Sequence, residues 1–181
     1  MADNRLRKLQ TLPDDVLAEV IREGEMRLLG QFQAAAASDQ RALTWSGLLI
    51  TIAIAAIGAA ATLYVSGRYY LLTLVSLLFS SMISIAAFMA IDCVRPKGFH
   101  FPGNLPENWL PEEWQGFPGI KHDLRQARLE QSVCLNQAIK QNAALAEQSG
   151  SRLRRSMDIA LFSILFAAIV GGAALFVEKY I

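Results

Sequence analysis

The chain has 181 residues, 53% of them hydrophobic, and its mean hydropathy of +0.30 is high for a soluble domain of this size. Its 17 basic and 16 acidic residues leave a formal net charge of +1, which argues against a nucleic-acid partner because duplex binding needs a basic face. The two cysteines, Cys93 and Cys134, lie far apart without the spacing of metal ligands, so we expect neither a disulfide framework nor a zinc site.

Residues 1–42 are predicted to form a cytosolic helix that continues into the membrane. Leu17, Val20 and Leu28 belong to a pattern of three- and four-residue steps, and no strong breaker separates this pattern from the apolar run that follows. The polar first residues lack the apolar core of a cleavable signal peptide, so the first membrane helix is expected to act as the insertion signal.

Residues 43–91 are predicted to form a transmembrane helical hairpin. Two apolar runs, each long enough to cross a hydrocarbon core of roughly 30 Å, are separated by a short turn at Gly67. The first run carries Ala55, Gly58 and Ala59 at a spacing that lets helices approach closely in lipid. These positions are predicted to pack against another helix; the alternative is that alanine is simply abundant in this run.

The second run of the hairpin carries four hydroxyl side chains at spacings of three and four residues: Thr73, Ser76, Ser80 and Ser84. The favoured interpretation is close packing and hydrogen bonding between helices, and such hydroxyls can also bond to their own helix. The alternative is that they line a narrow polar path in an oligomer.

Residues 92–120 are predicted to form a loop, and they include five of the six prolines of the chain and several aromatic residues. A loop of this length is usually functional or disordered, and the aromatic content argues against disorder. We predict an ordered cytosolic or interfacial loop that contacts a partner or ligand; an interfacial belt of tryptophans is the alternative. The residues of this predicted contact, including two from the next helix, are Phe99, His100, Trp109, Trp114, Arg125 and Arg128.

Residues 121–156 are predicted to form a second cytosolic helix, and residues 157–181 a third transmembrane helix with a short external tail. Gln131 and Asn142 interrupt a thin apolar stripe in the cytosolic helix, where polar residues tend to set register. This helix is expected to pair with the N-terminal helix or with copies of itself. In the third span, Gly171 and Gly172 repeat the small-residue spacing.

The positive-inside rule sets the predicted orientation. Basic residues are concentrated before the first span and between the second and third, which places the N-terminus in the cytosol and the C-terminus in the periplasm of a bacterial inner-membrane protein. The residues expected at the membrane interface are Arg41, Trp45, Arg152, Arg154 and Arg155.

Catalytic chemistry is not expected, and no cofactor or metal is predicted. The spans have no ionisable residue near their middle, which argues against a proton-driven carrier. His100 and His122 stand alone rather than in a metal-binding cluster, and the glycines do not form a phosphate-binding loop.

The order of features resembles a group of small membrane effectors of bacterial anti-phage systems, the Pycsar transmembrane effector type and the related SLATT type. The local resemblance lies in a polar box before the first span, where Asp39, Arg41 and Ala42 are similar to the box of the Pycsar type and Gln40 separates the charges differently. The resemblance implies self-association in the inner membrane and loss of membrane integrity when the protein is triggered. The resemblance does not extend to the loop at 99–119.

The sequence therefore predicts an all-α integral membrane protein with three transmembrane helices and cytosolic helical extensions that form a stalk or bundle. Two functions remain open. One is a self-associating, channel-like effector in the lipid bilayer that is controlled through its cytosolic helices. The other is a non-conducting scaffold that docks a protein partner through loop 99–119 and helix 121–150.

Overall fold

The computed structural model describes residues 8–67, 69–96, 98–103 and 124–180. In these ranges the regular structure is helical, without a strand. The α-helices are α1, Asp14–Ser66, α2, Tyr70–Asp92, and α3, Leu124–Tyr180. All three are long and apolar enough to cross a membrane. The predicted all-α class with three candidate spans is confirmed.

Helix α1 is continuous over 53 residues, as the absence of a breaker predicts. Asp14 and Asp15 lie in its first turn, where carboxylates interact favourably with the positive end of the helix dipole. The helix stops at Gly67, whose φ of 68° lies in the left-handed region that glycine adopts without steric cost. The Gly67 N–H donates to the Tyr64 carbonyl at 3.1 Å and closes the last turn.

The chain divides into two compact units. We call the first, Met1–Ala35 with Lys97–Ala146, the paired-helix unit. We call the second, Ala36–Pro96 with Glu147–Ile181, the three-helix unit. Helices α1 and α3 contribute residues to both units, whereas α2 belongs to the three-helix unit alone.

In the paired-helix unit, α1 and α3 run parallel, because the residue numbers of successive contacting pairs increase along both helices. Gln131 donates to Glu25 at 3.0 Å, and Gln31 donates to the Ile139 carbonyl at 3.1 Å. The pair therefore forms within one chain, which is one of the two pairings expected for helix 121–156.

The paired-helix unit buries few large apolar side chains among the described residues. Leu17 and Leu28 are fully buried, as their period in the sequence predicts. A Cβ atom at Gly24 would lie 3.3 Å from the Leu135 Cδ1 atom, which is tighter than ordinary contact. The glycine therefore lets the two helices approach where Leu135 crosses α1.

In the three-helix unit, α2 runs antiparallel to both α1 and α3. Its core is built largely from small residues, which let helix backbones approach closely and pack without a large apolar driving force. The buried core cluster consists of Leu49, Ala53, Ile83, Ala86, Ala87 and Ala160, with Trp45 and Phe79 among the half-buried residues packed against it.

Candidate functional site

A series of hydroxyl side chains lies inside the three-helix unit, and we call it the hydroxyl seam. Its members are Ser46, Thr73, Ser80, Ser156 and Ser163, all of them buried. Ser46, Thr73 and Ser163 donate to carbonyls of their own helix at 2.6–2.8 Å, so these three hydroxyls are satisfied. The other two, Ser80 and Ser156, donate across to a neighbouring helix.

Ser156 joins all three helices through a single hydroxyl. It donates to the Ala86 carbonyl of α2 at 2.7 Å and accepts from the Trp45 indole N–H of α1 at 3.2 Å. The Ser156 side chain is 0% exposed, so water does not compete for these bonds. Trp45, predicted at the membrane interface, thus uses its polar atom inside the unit.

The four hydroxyl residues predicted on α2 have different surroundings. Thr73 is buried and donates to its own helix, while Ser80 donates to the Ala53 carbonyl of α1 at 3.1 Å. Ser76 is half-buried; Ser84 is exposed and donates to the Ser80 carbonyl at 2.8 Å. Thr73 and Ser80 therefore take part in packing within one chain, and a polar path between copies stays a prediction.

The small residues predicted to pack are found on both the inside and the outside of the unit. Gly171 is buried, and a Cβ atom there would lie 3.8 Å from side-chain atoms of Leu72 and Val75. Gly58 and Gly172 are exposed and would have nothing within 4 Å of an added Cβ atom. Ala55 and Ala59 are exposed as well.

The predicted headgroup end of the three-helix unit carries the arginine cluster, which we define as Arg41, Arg95, Arg152, Arg154 and Arg155. Asp92, at the last position of α2, pairs with Arg152 of α3 at 2.5 Å and with Arg95 at 3.0 Å. The Arg95 guanidinium also lies 5.7 Å from the centroid of the Phe88 ring. Asp92 is therefore neutralised by two members of the cluster.

The opposite end of the unit is closed by an interaction that the sequence analysis missed. The Leu71 N–H, free in the first turn of α2, donates to the Glu178 Oε1 atom of α3 at 2.6 Å. No side chain caps this helix from Tyr69, its N-cap residue. A carboxylate from a different helix thus caps α2, a favourable position relative to the helix dipole. The lone acid directly after the third apolar run was the available signal.

The segment 98–103 is fixed to the paired-helix unit by Asn142. The His100 N–H donates to the Asn142 Oδ1 atom and the Asn142 Nδ2 atom donates to the His100 carbonyl, both at 2.9 Å. Asn142 is 0% exposed and is satisfied as both donor and acceptor. Next to this contact, the Phe101 and Phe32 rings lie with centroids 5.2 Å apart.

The structure describes only some of the residues that were predicted as partner contacts. The His100 side chain is exposed while its backbone holds Asn142, and Phe99 is half-buried. Trp109 and Trp114 lie outside the described residues. The two arginines of this set bind the start of α1: Arg125 pairs with Asp14 and donates to the Leu12 carbonyl, and Arg128 donates to the Asp14 carbonyl.

Within the residues that the structure describes, no group of three or more histidine, cysteine, aspartate or glutamate side chains could hold a metal ion. Comparison with known proteins finds no matching family model, and no curated protein or solved structure matches the chain. The function of the chain is therefore inferred from its own residues and from its resemblance to the small membrane effectors.

Proposed function

We propose that this chain is a self-associating, multi-pass protein of the bacterial inner membrane, a channel-like effector controlled through its cytosolic helices. The exposed faces of the candidate spans support membrane insertion. Only 17%, 33% and 22% of the apolar windows of α1, α2 and α3 are buried within the chain. Side chains such as Ile54 and Ile169 are 65% and 72% exposed, and lipid would cover them.

The helix directions support the proposed topology. Since α2 runs antiparallel to α1 and α3, Gly67 and the end of α3 fall on one side of the bilayer. The arginine cluster then falls on the other side, which the positive-inside rule assigns to the cytosol. The N-terminus would therefore be cytosolic and the C-terminus periplasmic.

The observation that carries the self-association proposal is an unused small-residue face on α1. We call it the association face and define it as Thr51, Ala55, Gly58, Ala59 and Thr62, all exposed. The two threonines donate to their own helix, to the Gly47 and Gly58 carbonyls at 3.0 Å, so their hydroxyls need no other partner in lipid.

The core of the chain uses the other side of α1, through Leu49, Ala53 and Ala60. Among the residues that the structure describes, the association face therefore has no packing role inside one chain. Small residues let a second helix approach closely in lipid, where packing contributes to association. A second copy of the chain, presenting the same face, would fill this space.

A channel-like state places further demands on the hydroxyl seam. Ser80 and Ser156 hold the helices of one chain together, so a path through them requires those bonds to be exchanged. Ser84 is exposed and could line a contact between copies without any such exchange. Control through the cytosolic helices would determine whether the Ser80 and Ser156 bonds are exchanged, because α1 and α3 each contribute residues to both units as continuous helices.

The scaffold function is kept as a second candidate because of one observation in the paired-helix unit. Met26, Leu29 and Phe101 are exposed there by 58%, 44% and 65%. This unit is proposed to lie in the cytosol, where exposed apolar side chains favour a protein contact. Such a partner would dock on segment 99–103 and the neighbouring part of α1.

The test is to substitute Gly58→Leu and to measure copy number in lipid nanodiscs by single-molecule photobleaching. The protomer fold should survive, because nothing lies within 4 Å of a Cβ atom at this position. The added bulk should weaken association about tenfold or more, which corresponds to about 1.4 kcal/mol of lost helix packing. Ala61→Leu is the matched control, since it adds similar bulk to an exposed position about 100° or more from most of the association face.

Two results would contradict self-association. One is a wild-type protein that stays monomeric at every protein-to-lipid ratio. The other is an equal effect of Gly58→Leu and Ala61→Leu. A monomer that copurifies with a stoichiometric protein, and releases it on Phe101→Ser, would favour the scaffold function.

A further inference from the structure

We propose that Arg154 and Arg155 bind the phosphate of anionic phospholipid headgroups at the cytosolic end of the three-helix unit. This inference depends on the membrane insertion proposed above and not on self-association. It gives the arginine cluster a ligand of stated chemistry and divides the cluster into two groups with different roles.

The position of the two arginines is fixed by the core of the unit. Ser156, directly after them, is held by hydrogen bonds to both neighbouring helices. With a rise of about 1.5 Å per residue, the backbones of Arg154 and Arg155 lie within roughly 3 Å of that level. The exposed apolar surface of α3 begins at once with Met157 and continues through Leu161 and Phe162. The two guanidinium groups therefore emerge where headgroups meet acyl chains.

The charges of Arg154 and Arg155 meet no opposite charge within the part of the chain that the structure describes. Both side chains are exposed, and among the described residues neither has an ion-pair partner. Asp158, four residues beyond Arg154, forms no ion pair with either arginine. By contrast, Arg152 is paired with Asp92.

The sequence places more basic residues at the inner end of the three-helix unit than at its outer end. At the outer end, which is the proposed periplasmic end, the carboxylate of Glu178 caps α2. At the inner end, which is the proposed cytosolic end, Arg41 adds a further exposed positive charge. It lies one turn before Trp45, which is hydrogen-bonded to Ser156. Attraction to the arginines favours anionic headgroups at the inner end.

The chemistry of the partner follows from this combination. Guanidinium groups match phosphate oxygens in a two-point hydrogen-bonded geometry. Adjacent exposed apolar side chains provide a surface for acyl chains, which free phosphate lacks. A phospholipid with a net negative charge satisfies both, whereas a zwitterionic lipid brings a compensating cation close to the arginines.

The experiment compares two lipids that differ in headgroup charge alone. Full-length protein in an uncharged detergent is mixed with equimolar phosphatidylglycerol and phosphatidylcholine of identical acyl chains, and bound lipids are counted by native mass spectrometry. Wild-type protein should prefer phosphatidylglycerol about tenfold or more, since each arginine near a membrane surface contributes roughly a fivefold preference. The double variant R154Q/R155Q should bind both lipids about equally.

Matched variants keep the result specific. R27Q/K140Q removes the same charge from exposed positions of the paired-helix unit and should keep the wild-type preference. R154K/R155K preserves the charge and should keep a reduced preference, which tests the idea even if the glutamine variant folds poorly.

Three outcomes would overturn the proposal: an unchanged preference in R154Q/R155Q, an equal loss in R27Q/K140Q, or displacement of the lipid by an equal concentration of inorganic phosphate. Membrane insertion is checked separately, by resistance of the protein to alkaline extraction from bacterial membranes. A wild-type protein that resists extraction and shows no lipid preference refutes this inference alone. Extraction of the wild-type protein refutes the proposed function as well.

Discussion

The paired-helix unit and the three-helix unit use the same two long helices but connect them with different chemistry. In the paired-helix unit, the cross-helix bonds are made by long charged and amide side chains, such as Arg125 to Asp14 and Gln131 to Glu25. In the three-helix unit, short hydroxyl side chains bond directly to backbone carbonyls of the neighbouring helix, as Ser80 does to Ala53 and Ser156 to Ala86.

The difference follows from the solvent that each unit is suited to. A hydroxyl reaches a neighbouring backbone only where helices approach closely, and the alanines of the three-helix core allow that approach. In water the same bond would compete with solvent, whereas long polar side chains bridge a wider gap and stay soluble. In the proposed topology, one pair of helices would therefore be adapted to water and to lipid by residue size as much as by polarity.

Each unit, taken by itself, also keeps α1 and α3 in a parallel register. The bonded pairs Arg125–Asp14 and Trp45–Ser156 are each 111 residues apart in the chain. The register is thus specified once by an ion pair and once by a buried hydroxyl. Substitutions in the two units test this comparison, beginning with the largest expected effect.

Substitution of Ser156→Leu should have the largest effect. The change removes both bonds of the hydroxyl and forces a larger side chain into a site that is 0% exposed. Overpacking and two lost hydrogen bonds together should lower the free energy of unfolding by about 3 kcal/mol. Reversible unfolding in mixed micelles measures this loss.

The matched control for this prediction is Ser151→Leu on the same helix. Ser151 is exposed and donates only to the Gln148 carbonyl of its own helix, so its substitution should cost little. Equal losses from the two variants would mean that Ser156 does not hold the helices together.

Substitution of Asn142→Leu should have a smaller and more local effect. It leaves the His100 N–H and carbonyl without their partners, but His100 is exposed, so water can replace part of what is lost. The free energy of unfolding should fall by about 1 kcal/mol. Hydrogen exchange of the His100 amide should accelerate about tenfold as segment 98–103 loosens.

Asn136→Leu provides the comparison for this prediction, because Asn136 is half-buried on the same stretch of α3 and holds no distant backbone group. Its substitution should leave exchange at His100 unchanged. Unchanged exchange in Asn142→Leu would contradict the anchoring role.

The sequence predicted the helices well because their ends are marked by local chemistry. The uninterrupted apolar runs and Gly67 define α1 and α2, and α2 ends at Asp92, one residue beyond the predicted hairpin. Asn142 was also singled out as a polar residue within an apolar stripe. Its partner could not be predicted, because the His100 backbone carries the same amide and carbonyl as every other residue.

The sequence could not predict which side of α1 faces the core. Ala53 and Ala60 point inward while Ala55 and Ala59 are exposed, yet all four are the same residue. A membrane helix lacks the contrast between polar and apolar faces that orients a helix in water. Packing of whole helices decides the orientation, so the association between copies inferred from Ala55 and Gly58 stays a prediction.

The smallest expected effect concerns Glu19 and Arg22, whose exposed side chains in the paired-helix unit form a two-point ion pair at 2.5 Å and 2.7 Å. The hydrogen bond from Arg22, aided by its charge, lowers the pKa of Glu19 below its ordinary value. A lowered carboxyl pKa in the folded state stabilises the fold above the ordinary pKa of about 4.3, and this contribution is lost as pH falls through the folded value.

Arg22→Gln should therefore raise the pKa of Glu19 toward its ordinary value, while the stability of the chain changes little because both side chains are exposed. Carboxyl-selective NMR titration measures the pKa, and about 1 M salt should shrink the difference between the two proteins. Arg27→Gln, which removes a charge two turns away, should leave the titration of Glu19 unchanged. The bonds of Ser156 involve no titrating group, so acid should weaken the Glu19–Arg22 ion pair and leave the hydroxyl bonds of the three-helix unit intact.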